Sequence, residues 1–235
     1  MAKIGIIAAM EVEAEELKAA LTDARAVYHM GMNFIEGTLD KTPVVVVRSG
    51  IGKVNAAICA TTLLQRFGVT HVINTGIAGS LDERIRIGDL VISSDAVQHD
   101  IDATKFGYRR GVIPQLGISS VFVADSAMRQ AARIAAVNQV SNEHVFEGRI
   151  VSGDTFVATR EQKADLVATF DAICCEMEGA SIAHVCSLAN VPFVIIRAIS
   201  DNADEDADLD YPSFERSAAH RCAIITRFVC SHLVR

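Results

Sequence analysis

The pattern that decides the fold lies in residues 44–55, which read VVVVRSGIGKVN. A continuous run of valines is typical of a strand that is covered on both faces of a sheet. The glycines that follow allow a tight turn, and Lys53–Phe67 then repeats apolar side chains with the period of a helix. Because another apolar run follows at His71–Thr75, this part of the chain predicts a strand, a helix and a second strand in succession.

Short apolar runs alternate with helical periods along the rest of the chain. The predicted strands are Lys3–Ala8, Val44–Arg48, His71–Thr75, Leu90–Ser93, Arg149–Ser152 and Phe193–Ala198. The predicted helices are Val12–Leu21, Lys53–Phe67, Ala124–Val137, Arg160–Phe170, Met177–Ala189 and a last one from about Pro212 to Val234. Asn33–Leu39 and Val44–Arg48 flank a turn and predict an antiparallel hairpin. We therefore expect an α/β fold over 1–235, a single-domain three-layer sandwich with a central mixed β-sheet flanked by helices.

The composition is that of a globular protein that does not bind nucleic acid. Of the 235 residues, 50% are apolar and 22% are charged, and the net charge is -7. This is too apolar for a disordered chain, and a surface that binds duplex phosphates needs a concentration of Lys and Arg. No window approaches the ~18 uninterrupted apolar residues that span a bilayer. We expect neither nucleic acid nor a membrane as a partner.

The N-terminus and the cysteines indicate a protein of the reducing cytoplasm. The apolar stretch before Glu11 is too short for a signal peptide. The six cysteines have no CxxC spacing and lie mostly in apolar segments, which predicts buried free thiols. The acidic run 201–210 lacks the glycine and the final glutamate of an EF-hand, so apart from Asp201 we expect a solvated loop there. We expect a cytoplasmic protein with no metal and no cofactor.

Two glycine-containing segments are predicted at the ends of strands. Ser49–Asn55 follows one strand and opens a helix, and Asn74–Gly79 is predicted to be a turn that ends another. Free amides at a helix start can hold an anion or a sugar, although a tight turn without a ligand explains Ser49–Asn55 as well. The spacing is neither that of a P-loop nor that of a dinucleotide-binding fingerprint, which argues against an NTPase and a Rossmann dehydrogenase. Together the two segments predict a ligand site at the carboxyl edge of the sheet.

Carboxylates follow three of the predicted strands, in Met10–Glu13, Cys175–Gly179 and Arg197–Asp201. A carboxylate in such a place most often caps a helix or complements its dipole. The residues for which we expect this role are Glu11, Glu15, Glu16 and Glu176. Convergence of the other carboxylates in one cleft is the arrangement that acid and base catalysis needs. The pattern predicts an acidic active site but does not identify its substrate.

Several motifs, taken together in chain order, resemble one family. They are Gly5–Met10 with Glu13, Ser49–Val54, Asn74–Gly76, Phe106–Tyr108, Ile150–Asp154 with Phe156, Glu176–Glu178 and Arg197–Asp201. With these motifs the chain resembles the 5'-methylthioadenosine/S-adenosylhomocysteine nucleosidase family from about residue 3 to residue 230. The resemblance implies a nucleoside phosphorylase-like fold, a homodimer, and irreversible hydrolysis of the N-glycosidic bond to adenine and a 5-thio-substituted ribose.

The resemblance also implies roles for individual residues. Asp201 matches the general acid that protonates N7 of adenine, and Glu13 matches the base that activates water. Glu178 matches the carboxylate that holds the ribose hydroxyls, and Arg197 matches the residue that steadies the acidic cluster. The resemblance thus implies three catalytic carboxylates.

The other matched positions form the implied substrate-binding set. Phe156 would stack on adenine, the backbone of Val157 would read the edge of the base, and Met177 would pack against the sugar. The apolar pocket for the 5'-alkylthio group is matched by Ile51, Tyr211 and, from the partner subunit, Phe106 and Pro114. The set is completed by Met10, Ala78, Gly79, Glu176 and Ser200.

One position departs from the family pattern, and several functions stay open. Ile77 stands where many relatives have a serine that helps to hold the acid, and Ser200 is the candidate to replace it. The alternatives are a hydrolase of a related nucleoside (aminodeoxyfutalosine or 5'-deoxyadenosine), a phosphate-dependent nucleoside phosphorylase, and a nucleoside-binding protein without activity. Glu13 argues against the phosphorylase because a carboxylate repels phosphate. An apolar 5' pocket discriminates only weakly between related nucleosides.

Overall fold

The computed structural model describes residues 2–204 and 207–233, except for the side chains of residues 208–213. The strands are β1 (Ile4–Ala8), β2 (Thr22–His29), β3 (Met32–Leu39), β4 (Thr42–Arg48), β5 (His71–Ser80), β6 (Leu90–Gln98), β7 (Phe122–Val123), β8 (Val145–Ser152), β9 (Ala172–Glu176) and β10 (Phe193–Asp201). The helices are α1 (Glu11–Ala19), α2 (Lys53–Phe67), α3 (Ser126–Gln139), α4 (Arg160–Phe170), α5 (Gly179–Leu188) and α6 (Ala207–His232). Two single-turn 3-10 helices lie at Thr104–Phe106 and Asn142–His144.

The strands form one mixed sheet in the order β10-β6-β8-β9-β5-β1-β4-β3-β2, with β7 beside β6. The pairs β1–β4, β1–β5 and β5–β10 are parallel, and the predicted hairpin of β3 and β4 is antiparallel. β2 pairs with β3 at one end of this order. The predicted mixed sheet is confirmed.

Five of the strands close into a ring because β5 pairs with β10 along most of its length and with β9 at its end. Its first half lies between β1 and β10, and its last residues, Gly79 and Ser80, pair with β9. β10 pairs with β6, β6 with β8 and β8 with β9, which completes the circuit. The ring brings the ends of β5, β9 and β10 to one place.

Helices cover both faces of the sheet with apolar side chains. Leu17 of α1, Met128 of α3 and Ile225 of α6 pack in one cluster with residues of the central strands. Leu63 of α2 and Ile182 of α5 pack in a second cluster on other strand residues. Burying each such side chain contributes about 1.5–3 kcal/mol. The expected three-layer α/β sandwich is confirmed.

The structure adds strands that the apolar pattern did not predict. β2 is almost entirely exposed, so it carries no apolar signal and owes its conformation to pairing with β3. β9 has only five residues and lies directly after α4. Among the described helices, none is long and apolar enough to cross a membrane.

Several predicted boundaries are wrong. β6 continues past Ser93 to Gln98, and β8 begins at Val145 rather than at Arg149. Asn74–Gly79 is not a turn, because β5 continues through it to Ser80 and its glycines keep extended backbone. The last helix begins at Ala207 rather than at about Pro212, since the amide of Ala207 already donates to the carbonyl of Asp204 (3.1 Å). The second part of the acidic run therefore lies in α6 rather than in a loop, and Val234 lies outside the described residues.

Candidate active site

A cavity of about 510 Å³ opens at the carboxyl ends of β1, β8, β9 and β10 and beside the last residues of β5. Most of the predicted site residues line it: Met10, Glu13, Ile51, Ala78, Gly79, Phe156, Val157, Glu176, Met177, Glu178, Ser200 and Asp201. This is the predicted edge of the sheet, where open α/β folds bind their ligands. Three separate strand ends thus bring their carboxylates to one cavity.

Glu13 is held by backbone amides at the start of α1. Its Oε2 accepts hydrogen bonds from the amides of Ala9 and Met10 (both 2.9 Å), and its Oε1 accepts one from the amide of Ile77 (3.1 Å). Burial raises the pKa of Glu13 above its usual value, although the positive charge of Arg197 and these hydrogen bonds oppose the rise. A fixed carboxylate with a raised pKa is suited to accept a proton.

Two glycines let β5 approach the carboxylates closely. A Cβ atom at Gly76 would lie 2.4 Å from Oε1 of Glu13, and one at Gly79 would lie 2.7 Å from Oδ1 of Asp201. Real Cβ contacts are not this short, so any other residue would displace one of the carboxylates. The glycines that predicted a turn are therefore needed for this close approach within a strand.

A β-bulge near the end of β10 presents two adjacent side chains to the cavity. Ile199 pairs with Ala78 and Asp201 pairs with Gly79, so Ser200 is the additional residue. Adjacent strand residues normally face opposite sides, and a bulge re-aims one of them. The hydroxyl of Ser200 donates to Oδ2 of Asp201 (2.9 Å). Ser200 thus supplies the acid with a hydrogen bond that the side chain of Ile77 cannot donate.

Glu178 links α5 to the glycine turn before α2. Its Oε1 accepts a hydrogen bond from the amide of Gly52 (2.8 Å), and Oδ1 of Asp154 accepts one from the amide of Lys53 (2.8 Å). Burial and the nearby charge of Glu176 raise the pKa of Glu178 to about 8. The amides at the start of α2, which the sequence predicted as a possible anion site, therefore already donate to carboxylates of the protein itself.

Arg197 lies behind the cavity rather than on its wall. Its guanidinium bonds Oε2 of Glu176 (2.5 Å) and the side-chain oxygen of Asn74, and its side chain is only 2% exposed. Oε2 of Glu176 also accepts the amides of Glu178 (3.1 Å) and Gly179 (2.7 Å) at the start of α5. Glu176 thus has the helix-start contacts expected for it and is also neutralised by a buried cation.

Asp100 bridges two loops that border the cavity. Its carboxylate accepts hydrogen bonds from Nζ of Lys53 (2.6 Å) and from the amide of Asp154 (3.0 Å). Lys53 begins α2, and Asp154 precedes the cavity residues 155–157. The bridge therefore fixes the spacing between the glycine turn and the loop that carries Phe156.

The predicted site residues and the residues that line the cavity are not the same set. Phe106 and Pro114 do not line the cavity of their own chain, and Phe106 is 83% exposed. The side chain of Tyr211 lies outside the described residues. Sequence reasoning named Ile77 only as a departure from the family pattern, and it did not place the following lining residues: Ala9, Thr155 and Cys175. Each of these is adjacent to a predicted residue, and only adjacency could have signalled them.

The cavity wall is acidic. It carries Glu13, Glu176, Glu178 and Asp201, and none of the described lining residues is Lys, Arg or His. A wall of this charge stabilises a cation and repels an anion. The arrangement can therefore support a positively charged sugar between a proton donor and a proton acceptor.

The chain matches a known protein superfamily over nearly its whole length. The family model described as the phosphorylase superfamily matches residues 3–230. The chain is 43% identical over 224 residues to the 5'-methylthioadenosine/S-adenosylhomocysteine nucleosidase of Shewanella denitrificans, which covers 95% of this chain and 96% of that protein. It therefore belongs to the 5'-methylthioadenosine/S-adenosylhomocysteine nucleosidase family within that superfamily, as the motifs predicted.

Solved structures agree with this assignment. The fold superposes with a TM-score of 0.93 and 38% identity on the Neisseria meningitidis nucleosidase in complex with methylthio-immucillin-A, covering 97% of this chain and 98% of that one. It is also similar to the futalosine hydrolase of Helicobacter pylori, with a TM-score of 0.92 and 35% identity over 98% of this chain and 97% of that one.

Proposed function

We propose that this protein hydrolyses the N-glycosidic bond of 5'-methylthioadenosine and S-adenosylhomocysteine to adenine and the 5-thio-substituted ribose. The observation that carries the proposal is the convergence of Glu13, Glu178 and Asp201 on one cavity. Its volume of about 510 Å³ is within the range of small-molecule sites. The family supports the choice of substrate.

Asp201 is the proton donor of the reaction. The C1'–N9 bond breaks with both electrons going to adenine, and a proton from Asp201 to N7 makes the base a neutral leaving group. The hydrogen bonds of Ser200 (2.9 Å) and of the amide of Ala203 (2.9 Å) orient its carboxyl group. The sugar that remains is an oxocarbenium-like cation.

Glu13 and Glu178 act on that cation. Water attacks C1', and Glu13 accepts the proton that the water loses, so that the ribose leaves with a hydroxyl at C1'. Glu178 holds the ribose hydroxyls, and its ionised form stabilises the cation by opposite charge. Met177 and Phe156 line the same cavity and supply contacts for the sugar and the base. No cofactor is needed for this chemistry.

The acidic wall favours water over phosphate as the nucleophile. Phosphorolysis needs a cationic cradle, whereas the described lining residues include no Lys, Arg or His. The amides of Gly52 and Lys53, which could have held an anion, are bonded to Glu178 and Asp154. A phosphate dianion at this place would be repelled by the ionised carboxylates of the wall.

We also propose that the protein is a homodimer in which the partner subunit completes the 5'-alkylthio pocket with its Phe106 and Pro114. Ile51 at the cavity and Val54 in the first turn of α2 are 53% and 69% exposed in the single chain. Exposed apolar side chains beside a cavity mark an interaction surface. Light scattering should give twice the chain mass of 25.2 kDa; a monomer would contradict this.

We propose a single catalytic domain over 1–235 that works in the cytoplasm. One sheet includes every strand of the described residues, which supports a single unit. All six cysteines are buried and free, which suits a reducing compartment. Limited proteolysis that released a stable, separately folded fragment would contradict the single domain.

The decisive experiment is adenine release from 5'-methylthioadenosine with and without added phosphate, with identification of the sugar. We expect adenine and free methylthioribose without phosphate. Strict dependence on phosphate, with a sugar 1-phosphate as product, would make the protein a phosphorylase and refute the role of Glu13. Parallel assays with aminodeoxyfutalosine and 5'-deoxyadenosine decide between the related nucleosides, and the curated relatives favour the thio-substituted ones.

A further inference from the structure

The segment after Asp201 adopts a backbone conformation that needs external support. Ala203 has a φ of 51°, in the left-handed region that residues with a Cβ seldom adopt. It is fully buried, and its amide donates to Oδ1 of Asp201 (2.9 Å). Such conformations persist only where neighbouring contacts hold them. The orientation of Asp201 therefore depends on whatever fixes this segment.

Helix α4 contributes to the apolar packing around the segment after Asp201. Ala203 packs in one buried cluster with Leu166 of α4 and with Val157, which precedes the helix and lines the cavity. The hydroxyl of Thr159 accepts the amide of Gln162 (3.2 Å) and fixes the start of α4. The same helix thus contacts the loop of Phe156 at one end and the segment after Asp201 along its side.

Lys163 of α4 adds a polar contact at one particular peptide group. Its Nζ, on a half-buried side chain, donates to the carbonyl oxygen of Asn202 (2.8 Å). That carbonyl belongs to the same peptide unit as the amide of Ala203, which holds Asp201. A peptide unit is planar, so fixing its oxygen also fixes the direction of its N–H. The two hydrogen bonds lie in series and polarise each other.

We propose that Lys163 is a positioning residue for the general acid, acting through the peptide between Asn202 and Ala203. The ammonium group orients this peptide so that its N–H holds Oδ1 of Asp201 while Ser200 holds Oδ2. The inference rests on the proposed function, in which Asp201 protonates the leaving base. Lys163 itself is not one of the residues that line the cavity.

The test compares Lys163→Met, which keeps the apolar stem, with Lys163→Arg, which keeps a cationic donor. Arg133→Met is the matched control, because Arg133 also donates from a helix to an asparagine oxygen (Asn142 Oδ1, 2.7 Å) but lies on α3. Steady-state kinetics with 5'-methylthioadenosine give kcat and KM, and a thermal melt reports folding. We expect Lys163→Met to lower kcat by about tenfold or more, with KM within about threefold, as for loss of optimal acid catalysis.

Lys163→Arg should restore kcat to within about threefold of wild type, and Arg133→Met should match wild type. A wild-type kcat for Lys163→Met would overturn the proposal. A change in KM alone would also overturn it, and so would a loss of kcat in Lys163→Arg equal to that in Lys163→Met. A loss of kcat that parallels a lower melting temperature in all the variants would overturn it as well. An inactive wild-type protein would instead refute the proposed function together with this role, whereas an active wild type with an unaffected variant refutes only the role of Lys163.

Discussion

Replacing Glu178 by glutamine should remove a large part of the pH dependence of stability. Burial and the charge of Glu176 raise the pKa of Glu178 from 4.5 to about 8. A group whose pKa is raised by folding contributes stability that is present below pH 4.5 and lost as the pH rises through about 8. Since each unit of pKa corresponds to about 1.36 kcal/mol, the loss across this window is at most about 5 kcal/mol.

Urea unfolding at about pH 5 and at about pH 9, at one protein concentration, measures this effect. The side-chain oxygen of glutamine can still accept the amide of Gly52, so Glu178→Gln keeps that contact and loses only the charge. At about pH 9 the variant should be more stable than wild type by several kcal/mol, and at about pH 5 the two should agree within about 1 kcal/mol. Glu83→Gln, at an exposed site, is the control and should follow wild type. Parallel stability curves for wild type and Glu178→Gln would refute this account of the buried carboxylate.

Three further substitutions test the catalytic arrangement. Asp201→Asn should lower kcat for 5'-methylthioadenosine about a thousandfold because an amide cannot protonate N7, while calorimetric binding of the same nucleoside stays within about tenfold; an active variant would contradict the assignment. Gly76→Ala should lower kcat about a hundredfold because its Cβ would lie 2.4 Å from Oε1 of Glu13. Gly31→Ala, in the turn between β2 and β3, has open space but a φ of 77°, so it should lower stability through backbone strain and keep wild-type kcat in the same assay; an equal loss of kcat would contradict the steric argument. Asp100→Asn should raise KM about tenfold because it weakens the bridge between Lys53 and Asp154, and an unchanged KM would count against that bridge.

The sequence predicted the elements that bury apolar side chains regularly. The valine run of β4, the amphipathic period of α2 and the hairpin of β3 and β4 all depend on local patterns. β2 could not be predicted in this way, because its residues are exposed and its only reason to be extended is its neighbour in the sheet. Local patterns report burial, and they do not report pairing.

The site was predicted at the level of segments rather than contacts. Carboxylates after strands pointed to Glu13, Glu178 and Asp201, and the motifs named their roles. The partners of these carboxylates come from far along the chain: the amide of Ile77 for Glu13 and the amide of Gly52 for Glu178. The bulge at Ser200 likewise exists only in the register between β10 and β5. Such contacts follow from topology, which a single sequence does not display.

The closed ring of five strands has a consequence for hydrogen exchange. Gly79 pairs with Asp201 on one side and with Cys175 on the other, so the backbone at the cavity is part of the ring closure itself. Local opening is confined to segments with few buried contacts, whereas strands enclosed on both sides open only when the whole domain unfolds. The amides of β5 and β10 should thus be among the slowest in the chain to exchange with deuterium. We therefore expect the catalytic end of the sheet to be among its most protected parts.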